Sequence, residues 1–177
     1  AKEFYLRIAE MTGIPIIVYN IPSRTGYTVR GDFLIRLNEE SRGKVIGVKN
    51  SANDVSLAVV LSRSIKEGQS IPIVYMQGND RFLADAWSIL RTAGYDREPA
   101  SISGAASFLP YARIEMAILS AVGEGDYQRA ESLQKELTVG GFKILGTNAE
   151  LSEPAILKGL VRATDIPDYY LNTRMSR

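Results

Sequence analysis

The 177-residue sequence contains neither cysteine nor histidine. Without cysteine the chain has no disulfides, thiolate nucleophiles, iron–sulfur clusters or thiolate zinc sites, and a reducing compartment is permitted. Without histidine it has no Ser-His-Asp triad, no histidine-ligated metal and no imidazole acid–base catalysis. Chemistry in this chain therefore depends on lysine, tyrosine, carboxylates, hydroxyl groups and arginine.

The sequence also has little net charge and no long hydrophobic run. Its 21 Lys+Arg and 20 Asp+Glu give a formal net charge of +1, so no global basic field attracts nucleic acid or an anionic membrane. No apolar run approaches the roughly 20 residues of a membrane helix, and no signal pattern opens the chain. We expect a folded cytoplasmic protein with no nucleic-acid partner and no membrane partner.

Strand and helix patterns alternate over residues 1–110 at intervals of roughly 30 residues. Short apolar runs predict strands at 14–19, 45–49, 71–76 and, more weakly, 100–103. Amphipathic patterns predict helices at about 1–12, 31–40, 54–66 and 81–93. Asn53 or Asp54 is the expected cap of the third helix, and Asp80 that of the fourth. Four such βα units indicate an α/β fold with a parallel sheet.

From residue 111 onward the pattern is helical only. Helices are predicted at about 111–122, 126–145 and 153–162, and residues 165–177 have the composition of a tail. Four βα units followed by helices fit a barrel-type sheet and a small doubly wound domain equally well. The alternation of elements alone does not decide between these two architectures.

Polar residues follow each predicted strand, where parallel α/β folds form their sites. Lys49 has the most chemical interest, because it ends an otherwise apolar strand. A lysine that points inward there loses hydration, which favours the neutral amine, a nucleophile toward ketones. A lysine at a strand end can equally emerge into solvent.

Two further residues are candidates at the same edge. Tyr19 ends the preceding strand, so its hydroxyl could lie near the Lys49 amine and transfer protons, although a tyrosine there can also simply be partly buried with its hydroxyl in water. Arg24 lies in the loop beyond Tyr19 and could form a fork with a substrate carboxylate, or remain a solvated charge.

The segment Tyr19-Asn20-Ile21-Pro22-Ser23-Arg24-Thr25-Gly26 resembles the Y-N-x-P-x-R-T-G segment of the dihydrodipicolinate synthase and N-acetylneuraminate lyase family. Residues 45–51, Val-Ile-Gly-Val-Lys-Asn-Ser, resemble that family's G-[IV]-K strand, in which the lysine forms the Schiff base. Gln77-Gly78-Asn79-Asp80 resembles its S-G-D-D segment, Ser101-Ile102-Ser103 its I-S strand, and residues 111–162 its C-terminal helices. Asn50 stands where the synthases usually have Glu.

The resemblance implies a (β/α)₈ TIM barrel with a C-terminal helical extension. The four units of residues 1–110 would correspond to strands five to eight, and residues 111–177 to the extension. The resemblance covers nearly all of this chain but only the second part of the family's chain. The family's paired threonines and a tyrosine lent by a neighbouring subunit belong to the first part. We therefore expect a homo-oligomer or a complementing chain.

By the same resemblance the function is that of a class I Schiff-base lyase or aldolase. Lys49 would attack pyruvate or a related 2-oxo acid, Tyr19 would relay protons, and Arg24 would hold the carboxylate of the aldehyde substrate. Backbone groups around Gly78 and Ile102 would shape the pocket. The R-T-G motif favours a synthase of lysine biosynthesis that uses aspartate semialdehyde, and no cofactor or metal is implied.

Three alternatives remain at this point. One is a sugar-acid lyase of the same family, acting on N-acetylneuraminate or a 2-keto-3-deoxy acid. Another is a catalytically incompetent half-barrel that pairs with a partner chain to cover its sheet edges. The last is a small open-sheet binding domain in which Lys49 is a surface residue.

Overall fold

The computed structural model describes the backbone of residues 1–101 and 105–146 and the side chains of residues 1–101 and 112–139. Its strands are β1 (Ile16–Asn20), β2 (Val45–Asn50) and β3 (Val74–Gln77). Its helices are α1 (Lys2–Thr12), α2 (Pro22–Thr25), α3 (Gly31–Glu40), α4 (Ser56–Lys66), α5 (Leu83–Thr92), α6 (Ala105–Gly123) and α7 (Tyr127–Gly146), with a 3₁₀ turn at Asp80–Phe82. The predicted α/β alternation is confirmed.

The three strands form one parallel sheet in the order β1-β2-β3. Each strand lies beside its predecessor in the chain, as successive right-handed βα units arrange them. A further segment adjoins β3, where Gln77 and Ser101 form an isolated parallel bridge. Of the strand predicted at 100–103, only this bridge lies within the described residues.

One face of the sheet carries the hydrophobic core. Val18, Val48 and Tyr75, one from each strand, are fully buried there. The indole of Trp87 meets the Tyr75 ring edge to face at a centroid distance of 5.7 Å, and its Nε1 donates to the carbonyl of Ala100 at 2.8 Å. Helix α5, which carries Trp87, is thereby fixed to this face.

The opposite face of β1 is open in the part of the chain that the structure describes. Side chains alternate along a strand, so β1 buries Val18 and Asn20 while Ile17 and Tyr19 are each 45% exposed. Ile46 of β2 is also exposed. A doubly wound sheet has helices on both faces, and this one-sided cover favours a barrel segment instead.

Two predictions around β3 are wrong: the start of the strand and the capping residue of the helix that follows it. The strand begins at Val74 rather than at residue 71, because Pro72 has no N–H to donate to a neighbouring strand. Asp80 does not cap the following helix; the Asn79 side chain accepts from the N–H of Arg81 at 3.2 Å and caps the 3₁₀ turn.

Other predicted boundaries stand or shift slightly. The Asp54 carboxylate accepts from the N–H of Ser56 at 2.9 Å, but the N-cap position of α4 is Val55, one residue after Asp54. The helix predicted at 111–122 begins earlier, at Ala105. The helix predicted at 153–162 and the tail at 165–177 lie outside the described residues.

The side chain of Gln134 links helix α7 to the turn after β3. Oε1 of Gln134 accepts from the N–H of Ala84 at 2.9 Å, and its Nε2 donates to the carbonyl of Asp80 at 2.9 Å. Gln134 thus satisfies one of the N–H groups that every helix leaves unpaired in its first turn. No helix among the described residues is long and apolar enough to span a membrane.

Glu115 of α6 is a carboxyl group inside this helical layer. The residue is fully buried, and neither carboxyl oxygen has a hydrogen-bond partner in the described part of the chain. Burial, with a further contribution from the negative charge of Asp80, raises the pKa of Glu115 from 4.5 to about 7. The folded protein therefore binds a proton at a pH where the unfolded chain does not.

This proton makes stability fall as the pH rises. Below pH 4.5 both states are protonated; between pH 4.5 and 7 the free energy of unfolding decreases by up to about 3 kcal/mol and then levels off. We expect Glu115→Gln to flatten this dependence and to be more stable than the parent at pH 8. Urea denaturation at pH 5 and pH 8 measures the free energy of unfolding of each variant, and Glu136→Gln on the exposed side of α7 is the control. A Glu115→Gln curve parallel to that of the parent would contradict this prediction.

Candidate active site

The parallel register brings Lys49 and Tyr19 together at the carboxyl ends of two strands. Tyr19 of β1 is the register partner of Lys49 of β2, so both side chains lie on the open face. The Lys49 Nζ lies 4.6 Å from the centroid of the Tyr19 ring, within the range of a cation–π contact. Lys49 is half-buried rather than fully solvated. The predicted proximity of the two side chains is present in the structure.

Gly78 forms the third side of this arrangement. A Cβ atom at Gly78 would lie 2.8 Å from Lys49 Cε and 3.1 Å from Lys49 Cγ, and it would collide with the hydroxyl oxygen of Ser51. The N–H of Gly78 donates to the carbonyl of Asn50 at 2.8 Å, which holds the turn after β3 against β2. The missing side chain of Gly78 is what lets this turn cover the lysine stem.

Ser51 is a neighbour of Lys49 that the sequence analysis assigned no role. Its hydroxyl oxygen is buried and has no hydrogen-bond partner among the residues described. Ser51 follows Lys49 by two positions, and the spacing of two along an extended chain could have identified it. A buried hydroxyl without a partner beside an amine is available to a molecule bound there.

Of the other two predicted site residues, Arg24 and Ile102, the structure describes only Arg24. Arg24 lies in α2, which follows β1 directly, so it is at the same edge of the sheet. Its side chain is exposed, and no hydrogen bond or ion pair joins its guanidinium to any described residue. Ile102 lies outside the described residues. The roles predicted for Arg24 and Ile102 remain predictions.

A row of buried polar side chains lies behind Lys49, on the helix-covered face. Asn20, Asn50 and Gln77 are register partners, one from each strand, and all are essentially inaccessible to solvent. The sequence analysis placed Asn20 and Gln77 in family motifs and noted that Asn50 replaces the usual Glu, but it assigned none of the three a role. Their burial could have been inferred from the alternation that puts Lys49 on the opposite face.

The sequence model of the Dihydrodipicolinate synthetase family matches residues 1–166. The chain belongs to this family. It is 30% identical over 135 residues to the 4-hydroxy-tetrahydrodipicolinate synthase of Chlorobium phaeobacteroides, an alignment that covers 76% of this chain and 41% of the relative. It is 31% identical over 137 residues to 4-hydroxy-tetrahydrodipicolinate synthase 1 of Streptomyces coelicolor, covering 76% and 39%. The chain thus spans about two fifths of the length of these curated relatives.

Solved structures of family members have the same fold. N-acetylneuraminate lyase from Fusobacterium nucleatum superposes with a TM-score of 0.72 at 20% identity, covering 99% of this chain and 54% of the lyase. A prophage protein of the dihydrodipicolinic acid synthase family from E. coli K12, in complex with pyruvate, superposes with a TM-score of 0.71 at 19% identity, covering 94% and 51%. These relatives are TIM barrels, so the small doubly wound domain is set aside as the architecture.

The close approach at Gly78 predicts the effect of adding one methyl group. We expect Gly78→Ala to displace the side chains of Lys49 and Ser51, because its Cβ would lie inside van der Waals contact with both. Overpacking of this kind costs about 1–3 kcal/mol. Urea denaturation measures the loss, and site-resolved acetylation measures an increased reactivity of Lys49 relative to Lys44.

Gly123→Ala is the matched control for this substitution. The nearest atom to its Cβ would be Pro99 Cδ at 4.0 Å, an ordinary contact. We expect no loss of stability and no change at Lys49. If the two alanine variants have the same free energy of unfolding and the same reactivity of Lys49, then Gly78 does not confine the lysine.

Proposed function

We propose that this chain is the lysine-bearing part of a Schiff-base lyase that condenses pyruvate with an aldehyde, with aspartate semialdehyde as the expected aldehyde. The observation that carries this proposal is the Lys49 amine at the carboxyl end of the central strand, 4.6 Å from the Tyr19 ring, in a chain of this family. The names of the curated relatives and the pyruvate bound to one solved relative support the choice of substrates.

The reaction begins at the Lys49 nitrogen. Its lone pair attacks C2 of pyruvate to form the C–N bond, and the former carbonyl oxygen takes up two protons and leaves as water, which gives the imine. Loss of a proton from C3 gives an enamine. C3 then forms a bond to the aldehyde carbon, the aldehyde oxygen takes up a proton, and hydrolysis of the imine releases the product and restores the amine.

Two side chains assist these steps in the proposal. The Tyr19 hydroxyl, on the same face as Lys49, carries protons to and from the oxygen that leaves and the oxygen that forms. The Arg24 guanidinium, exposed at the same edge, has its donors available for the carboxylate of the second substrate. Ile102 would contribute its backbone to the pocket, together with Gly78.

A complete site in this proposal requires more strands than the described ones. We assign the described βα units to strands five to eight of the barrel, with the C-terminal helices as the extension. Within the described sheet β1 pairs only with β2 and its outer edge is free, and the face that bears Tyr19 and Ile17 is exposed. The remaining strands would come from a longer protein that contains this chain, from a complementing chain or from an oligomer.

Two other functions have a specific observation in their favour. The superposition on an N-acetylneuraminate lyase, which covers 99% of this chain, favours a sugar-acid lyase as the second candidate. The free outer edge of β1 in the described sheet favours a half-barrel that lacks activity until a partner joins it. The first alternative keeps Lys49 as the nucleophile, and the second does not require it to react.

Reductive trapping tests the nucleophile directly. We expect the 177-residue chain, incubated with pyruvate and cyanoborohydride, to gain a single adduct that peptide mapping places on Lys49. Lys49→Ala should abolish the adduct. Lys44→Ala is the matched control, since Lys44 lies just before the same strand and its Nζ donates to the carbonyl of Gly13 instead. A folded 177-residue chain without an adduct would refute imine formation by this chain on its own and would leave the half-barrel that needs a partner.

The mass of the trapped adduct identifies the second substrate. With pyruvate and aspartate semialdehyde together, we expect an additional, heavier adduct that contains both carbon skeletons. Arg24→Ala should reduce the heavier adduct about 10-fold or more while the pyruvate adduct forms as before, because the lost contact concerns only the second carboxylate. A heavier adduct with N-acetylmannosamine and none with the semialdehyde would favour the sugar-acid lyase.

A further inference from the structure

A continuous chain of side-chain hydrogen bonds crosses the sheet directly behind Lys49. It consists of Asn20, Asn50, Tyr75 and Gln77, which we call the amide chain. Asn20 is 1% exposed and the other three are 0% exposed. Asn20 Nδ2 donates to Asn50 Oδ1 at 2.7 Å, Asn50 Nδ2 donates to Tyr75 Oη at 3.1 Å, and Tyr75 Oη donates to Gln77 Oε1 at 2.5 Å.

Both ends of the amide chain are anchored to backbone groups in loops. The N–H of Val29 donates to Asn20 Oδ1 at 3.0 Å, and Gln77 Nε2 donates to the carbonyl of Asn79 at 3.0 Å. Val29 belongs to the loop that follows α2, and Asn79 follows Gly78 in the turn that covers Lys49. The amide chain therefore connects the two loops on either side of the lysine.

The anchors give the amide chain a fixed direction. A backbone N–H can only donate and a backbone carbonyl can only accept, so every bond in between must run from Val29 towards Asn79. Burial raises the pKa of Tyr75 well above its ordinary value, so its hydroxyl keeps the proton that it donates to Gln77. Asn50 must then donate to Tyr75 while it accepts from Asn20. An ionised carboxylate at position 50 accepts only and cannot do this.

Asn50 couples this chain to Lys49 through the backbone. Its carbonyl accepts from the N–H of Gly78 at 2.8 Å, and the next N–H, that of Ser51, donates to the carbonyl of Asn20 at 2.8 Å. The Asn50 side chain points away from the open face, because neighbouring residues of a strand point to opposite faces. Asn50 therefore acts on Lys49 by fixing the strand end that carries it.

We infer that Asn50 is a positioning residue: through the amide chain it fixes the ends of β1, β2 and β3 so that the Lys49 amine stays between the Tyr19 ring and Gly78. The inference rests on the proposed imine chemistry of Lys49. A displacement of about 1 Å at a reacting group lowers rates by up to about 100-fold. The loss of the directed hydrogen bonds is expected to displace the lysine by a shift of this order.

Asn50→Asp tests the inference, since it keeps the shape of the side chain and removes the donor. At pH 8 we expect the maximal rate of pyruvate trapping by cyanoborohydride to fall at least 10-fold, with a smaller change in the half-saturating pyruvate concentration. At pH 5 a protonated carboxyl group again donates to Tyr75, so the rate relative to the parent should recover. A defect that is independent of the protonation of this side chain would not be reversed in this way, and urea denaturation of the variant at both pH values reports any effect of the buried charge on folding.

Asn38→Asp is the matched control. Asn38 Nδ2 donates to the carbonyl of Val45 at 2.7 Å, at the opposite end of the same strand. Asn38→Asp makes the same chemical change at a comparable hydrogen bond, so we expect it to trap pyruvate at the parental rate.

Tyr75→Phe is the second test variant. It breaks the amide chain without adding charge, and its ring can still pack on Trp87. We expect its trapping rate to fall at both pH values.

A second readout separates this inference from the proposed function. Acetylation of Lys49 relative to Lys44 within the same molecule reports the surroundings of the amine without pyruvate. If the parent forms no adduct, the proposed function fails, and a threefold or larger change of this ratio in Asn50→Asp at pH 8 still supports the positioning role. The inference is overturned if the folded Asn50→Asp and Tyr75→Phe variants trap pyruvate at the parental rate and also show the parental ratio of Lys49 to Lys44 acetylation.

Discussion

The parallel register of the three strands is the constraint on which the other features depend. It sets Tyr19 opposite Lys49 and, one step further, Asn20 opposite Asn50. Because side chains alternate between faces, a slip of one residue would carry Lys49 to the helix-covered side and bring Asn50 to the open side. The reactive amine and the buried amides are thus placed by the same pairing.

The buried amides also help to specify that register. Each polar group of the amide chain has its partner, whereas an amide left unpaired in this environment would cost about 1–3 kcal/mol. Apolar side chains of similar size would tolerate a shifted pairing, since hydrophobic contact has no direction. The amide chain therefore contributes to the uniqueness of the sheet, while fully buried apolar residues such as Val18, Val48 and Trp87 form the hydrophobic core.

Much of the fold and part of the site could be predicted from the sequence. Periodicity located the helices and strands, and the rule that parallel strands end at one edge predicted that Tyr19 and Lys49 meet. The choice of cap failed, because Asn79 and Asp80 have similar capping preferences and only the turn geometry selects between them. The start of β3 was misplaced for a different reason: the apolar run over residues 71–76 looked continuous, although Pro72 is a local signal against a strand at that position.

Other features depend on contacts between distant segments and carry little local signal. The approach of Gly78 to Lys49 joins positions 29 residues apart. The family resemblance placed Gly78 at the pocket, but the residues around it carry no local signal of the close contact with the lysine stem. The hydrogen bonds of the Tyr75 hydroxyl with Asn50 and Gln77 depend on which face of the sheet Tyr75 occupies. Glu115 had a local signal, a single carboxylate within the apolar stretch of α6, but its burial depends on how α5 and α7 enclose it. Any role of Arg24 depends on a bound substrate, which a sequence does not contain.

The Gln134 side chain has a consequence for synthesis on the ribosome. It satisfies the N–H of Ala84, 50 residues earlier in the chain. At about 5–20 residues per second, α7 emerges roughly 3–10 s after the start of α5. During that interval the nascent sheet has its strands but not the cap that joins α5 to the C-terminal helices. Among the described helices α7 therefore packs last, and a chain stalled before residue 134 would present the uncovered side of α5 to chaperones.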